Sequence, residues 1–70
     1  METTYGQRIR QVRQRLGISQ RELADRVHVT KQNITQIERG YRQPKAERLV
    51  ALATALGVSS DYILGLQETM

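Results

Sequence analysis

From Tyr5 to Leu64 the apolar residues return every three or four positions, in five short runs broken at Gly17, at His28-Val29, at Gly40 and at Gly57. No segment alternates with period two over a useful length, so the chain has nothing from which to build a sheet and must fold as packed helices. Tyr5, Ile9, Val12 and Leu16 lie within about 60° of one another on a helical wheel, which predicts an amphipathic helix over residues 4–16. Thr4 is placed to cap its start and Gly17 to supply a left-handed end. Ser19 and Glu22 form a capping box before a second helix, 19–27, whose buried stripe is Leu23, Ala24 and Val27. Thr30 caps a third, 30–39, with Ile34 and Ile37 inside and Gly40 at its end. Pro44 suits the first turn of a fourth, in which Ala46, Leu49, Leu52, Ala53 and Leu56 share one face as far as Gly57. Ser59 caps a fifth that carries Tyr62, Ile63 and Leu64 and closes at Gly65. The expected fold is all-α: five short helices forming one domain over residues 1–65, followed by a frayed tail, 66–70.

Seventy residues hold one small core, and the absence of cysteine excludes disulfides and thiolate metal sites. With no Phe, no Trp and three Tyr, that core is aliphatic, and an aromatic platform for stacking single-stranded bases has almost no material. His28 is the only histidine, so it has no companion with which to bind a metal. Ser19 and Thr30 have no His–Asp partnership and read as caps rather than nucleophiles. The Asn33-Ile34-Thr35 triplet spells a glycosylation sequon but falls inside a helix. No metal, cofactor or enzymatic activity is expected. The longest apolar run, Leu49 to Leu56, is interrupted by Thr54 and is too short for a bilayer or a signal sequence, so a cytoplasmic protein without membrane attachment is expected.

Charge is distributed unevenly. All eleven Lys and Arg residues lie between Arg8 and Arg48 in the company of four acids, a net +7, while the flanks carry the other three acids. A polyanion is the natural partner of such a surface. The second and third predicted helices, joined by a tight turn, have the spacing of a helix-turn-helix. If Lys31 is set at zero on the wheel, Ile34 and Ile37 point inward near about 270°. Arg39, Gln32, Thr35 and Gln36 then gather around the opposite direction, with Lys31 at the helix start. That outer face offers donors and acceptors and no acid. It suits the base edges of a major groove, where Gln pairs bidentately with adenine, Lys reaches guanine and Thr touches a thymine methyl.

These residues resemble the Cro/repressor-type (XRE-like) helix-turn-helix regulators of bacteria and their phages. The matching string is Ser19-Gln20-Arg21-Glu22-Leu23-Ala24, Val27, Val29-Thr30, Ile34 and Ile37-Glu38-Arg39-Gly40, followed by Pro44 and Ala55-Leu56-Gly57-Val58-Ser59. The resemblance covers roughly residues 6–65 and implies a lambda-repressor-like domain. It implies that Lys31, Gln32, Thr35 and Gln36 meet base edges, and that Thr30, Asn33 and Arg39 flank the helix as phosphate contacts. The loop Tyr41-Arg42-Gln43 and Lys45 would follow the backbone. Gln20 would hold a phosphate at the start of its helix and brace Lys31 or Gln32. It also implies a structural ion pair between Arg13 and Glu38. His28 stands where most members have glycine, so its backbone must accept positive φ, at about 1 kcal/mol relative to Gly.

The function so implied is a transcriptional regulator, a repressor, reading a palindromic double-stranded operator with two copies of the domain. The homodimer is expected to be weak alone and completed on DNA, with contacts near Tyr62 to Leu66. The exposed apolar residues among Tyr62, Leu64, Leu66 and Met70 read either as that contact or as the ordinary apolar exposure of a small domain. The alternative is an antitoxin-type protein-interaction module for which DNA is secondary.

Overall fold

The computed structural model describes residues 4–66, and the segment 67–70, with most of the expected tail and Met70, lies outside the described residues. Five helices follow one another: α1 Tyr5–Arg15, α2 Gln20–Arg26, α3 Lys31–Glu38, α4 Ala46–Leu56 and α5 Ser60–Leu64. Four of the five starts are fixed by local side chains. Thr4 accepts from Gln7 N–H, and the Gln7 amide oxygen accepts from Thr4 N–H in return, a capping box. Ser19 and Glu22 make the same reciprocal pair, and Thr30 and Ser59 accept from Asn33 N–H and Tyr62 N–H. Each cap satisfies donors that the helix itself leaves unpaired.

The turn between α2 and α3 closes through His28, the one non-glycine among the described residues with positive φ, at 59°. Val29 N–H donates to the Ala24 carbonyl at 3.0 Å across it. The histidine side chain is exposed, so the left-handed backbone is accommodated without burying the imidazole.

The core gathers Ile9 and Val12 of α1, Leu23 and Ala24 of α2 with Val27 just beyond it, Ile34 and Ile37 of α3, the apolar stripe Leu49, Leu52, Ala53 and Leu56 of α4, and Tyr62 and Ile63 of α5. Arg8 lies over the Tyr62 ring at 5.0 Å, tying α1 to α5. Helix α1 crosses α3 closely at Gly6, where a Cβ would stand 2.4 Å from the Ile37 carbonyl oxygen and 2.7 Å from that of Glu38. No larger residue fits without moving the end of α3. A glycine inside a helix is normally unfavourable, and here its cost permits the contact that sets α3 against α1.

Several sequence expectations are corrected. Leu16 does not continue the α1 stripe: the helix ends at Arg15, Leu16 is its C-cap and is half exposed, and Ile18 packs partly against the core instead. Pro44 precedes α4 rather than opening it, because the N-cap is Lys45, which makes no side-chain cap bond. Ala46, at the first position of α4, lies beyond the core and is exposed. Tyr62 is buried and so drops out of the apolar residues available to a partner, whereas Leu64 and Leu66 are exposed.

Candidate nucleic-acid interface

Helix α3 carries its two isoleucines fully inside and turns its opposite face to solvent. Lys31, Gln32 and Arg39 are exposed, and Thr35 and Gln36, about 50° to either side of the outward direction, are half-buried. This is the graded exposure the wheel requires of a helix lying on a core. Thr30 stands exposed at the N-cap. Asn33 lies on the flank, half-buried, and its Oδ1 is buried without a hydrogen-bond partner among the described residues. Asn33 lines a cleft with Ile37 and the residues Arg42 to Lys45, Glu47 and Arg48, so the loop between α3 and α4 and the start of α4 border the same surface. Tyr41, Arg42 and Lys45 are all exposed there.

Behind this face lies a directional hydrogen-bond network. Arg13 Nε donates to Glu38 Oε2 at 2.7 Å and its Nη2 to Oε1 at 3.1 Å, a bidentate pair in which both side chains are buried. Arg13 Nη1 also donates to the Ile18 carbonyl at 2.9 Å, fixing the chain between α1 and α2. Gln20 Nε2 donates to Glu38 Oε1 at 3.1 Å. A carboxylate only accepts, so the Gln20 amide has one orientation, with its oxygen towards α3. There the Thr35 hydroxyl reaches Gln20 Oε1 at 2.9 Å, with the Lys31 carbonyl 3.1 Å away as a second acceptor. Gln20 therefore braces Thr35 and Glu38 rather than Lys31 or Gln32. One Nε2 hydrogen of Gln20 remains outside this network. The Thr35 hydroxyl is thereby engaged within the protein.

Sequence reasoning missed three contributors. Tyr5, read only as the first residue of an apolar stripe, donates its hydroxyl to the Arg42 carbonyl at 3.0 Å and pins the loop beyond α3. A half-buried tyrosine at a core position needs such a partner, and that was the available signal. Gly6, an unexplained glycine inside a helix, was a second. Arg10, which no motif singles out, borders a depression with Arg13, Gln20, Glu38 and Arg39, so it adds positive charge beside the network.

Comparison with known proteins agrees with this geometry. The helix-turn-helix family model matches residues 9–63. The structure superimposes on the P22 c2 repressor in complex with a synthetic operator with a TM-score of 0.89 and 39% identity, over 94% of this chain and 100% of that one. It superimposes on SinR, a master regulator for biofilm formation, in complex with DNA, with a TM-score of 0.80 and 34% identity, over 86% of this chain and 97% of that one. The HTH-type transcriptional regulator ImmR of Bacillus subtilis is 36% identical over 65 residues, covering 93% of this chain and 51% of ImmR. The chain spans about half the length of the curated relatives it matches. With five helices in the same arrangement and the family pattern running through all of them, the chain belongs to the Cro/repressor-type helix-turn-helix family.

Proposed function

We propose that this chain is a sequence-specific double-stranded DNA-binding regulator of transcription, a repressor, that lays α3 in the major groove. The observation that carries the reading is the outer face of α3. It is open and free of acid, and it is fixed from behind by the Arg13–Glu38–Gln20–Thr35 network. A side chain already locked before it meets DNA loses less entropy on binding. Lys31, Gln32, Thr35 and Gln36 are assigned to base edges. Thr30, Asn33, Arg39, Tyr41, Arg42 and Lys45 are assigned to phosphates, together with the remaining Nε2 hydrogen of Gln20. The reading involves no covalent chemistry and no cofactor. The repressors and DNA-bound regulators among the similar proteins support it over a module that grips a protein partner.

Two copies on a two-fold axis would read a palindromic site, pairing weakly alone and completely on DNA, with Leu64 and Leu66 as the exposed apolar residues nearest that role. No helix among the described residues is long and apolar enough to cross a membrane, in keeping with a cytoplasmic location. Selection of bound duplexes from a random pool tests the proposal. The expected product is a pair of inverted half-sites with centres about one helical turn apart. Recovery of unenriched sequence would contradict it.

A further inference from the structure

Gln36 is held by the loop that follows it through three hydrogen bonds. Its carbonyl accepts from the backbone N–H of Tyr41 at 2.9 Å and of Arg42 at 3.3 Å, and its side-chain Oε1 accepts from Arg42 Nε at 3.1 Å. Arg42 is itself anchored, because its carbonyl accepts from the Tyr5 hydroxyl at 3.0 Å. The two side chains border one shallow groove with Thr30, Gln32 and Asn33. Arginine is a donor only, so the Gln36 amide has one orientation: the oxygen faces the guanidinium, and Nε2, with its two donors, lies on the other side.

We propose that Arg42 is a positioning residue for base reading, presetting the Gln36 amide as a donor so that the base facing it is read as guanine rather than adenine. The proposal rests on the reading of α3 as the major-groove helix and goes beyond it by naming the base. A glutamine that pairs bidentately with adenine uses its oxygen for the N6 amino group and its own amino group for N7. In this protein one lone pair of that oxygen is taken by the Arg42 guanidinium, which holds the oxygen on the loop side and leaves the N6 amino group a competed acceptor. Guanine presents N7 and O6, both acceptors, and both are served by Nε2–H. The terminal nitrogens of Arg42 are left for a phosphate, so one residue positions the chain and filters the base.

The test is selection of bound duplexes by the 70-residue chain and by its Gln36→Ala, Arg42→Lys and Arg42→Met variants. The unaltered chain should recover guanine at one position in each half-site, and Gln36→Ala should abolish the preference there, identifying the position. Arg42→Met, which has no donor, should move the guanine-to-adenine ratio at that position about tenfold towards adenine and leave the other positions as they were, whereas Arg42→Lys, whose ammonium can still donate to Gln36 Oε1, should keep more of the guanine preference. Guanine retained in Arg42→Met, or adenine already preferred at that position by the unaltered chain, would overturn the proposal. A pool with no enriched sequence at all would overturn the major-groove reading itself, and the role of Arg42 with it.

Discussion

Raising salt from about 50 to about 200 mM is expected to weaken binding to a selected duplex about a thousandfold, the largest effect anticipated for this protein. Arg39, Arg42 and Lys45 border the α3 face, all exposed, so on the proposed reading two protomers would bring six cations to the phosphates. Each neutralised phosphate releases counterions and contributes about −0.9 to the slope of log affinity against log salt, giving a slope of about −5. Two of the four acids within the basic stretch are already engaged within the protein. Glu38 is buried in its pair with Arg13, and Glu22 is committed to its capping box. Fluorescence anisotropy titrations across that range measure the slope directly, and a flat response would mean that the basic surface meets no polyanion.

Replacing Glu38 with alanine is expected to cost about 3–5 kcal/mol of folding stability, because it strands the Arg13 guanidinium without its counter-ion. A chain of this size has about that much in all, so the variant should lose its cooperative thermal transition. The pair need not be ionic to hold the fold. Arg13→Met combined with Glu38→Leu should recover most of the stability, since apolar side chains of similar volume replace buried ion pairs at little cost. It should not recover DNA affinity, because Gln20 would have lost the acceptor that orients it towards Thr35. A Glu38→Ala variant that melts within about 4–8 °C of the unaltered protein, a change of only about 1 kcal/mol, would show the pair to be worth no more than a surface contact.

The helices were legible in the sequence wherever a local side chain fixes an end. Thr4, Ser19, Thr30 and Ser59 each cap within three residues of themselves, and such signals do not depend on the rest of the fold. Where no local device exists the reading slipped. The start of α4 has no side-chain cap, so Pro44 drew the expected boundary too early. Leu16 satisfies the wheel but follows the last residue of the helix, and periodicity cannot see where a helix stops.

The candidate site divides in the same way. The wheel found the outward face of α3, since burial of Ile34 and Ile37 dictates it. It could not find Tyr5 at Arg42, or Gln20 between Glu38 and Thr35, because these join residues 37, 18 and 15 positions apart. Such contacts depend on how α1, α2 and α3 pack, and Gly6, which admits the close crossing of α1 over the end of α3, is silent in a pattern of apolar spacing.

On the proposed reading, α3 reads bases rather than merely lying on the phosphate backbone. Gln32 tests it most directly, being exposed, near the outward direction of α3 and without a side-chain hydrogen bond to any other described residue, so its loss should leave the fold intact. Paired titrations of Gln32→Ala against a selected duplex and a random duplex should show a loss of about 1–3 kcal/mol on the first and far less on the second. Equal losses on the two duplexes would mean that helix α3 is not reading sequence.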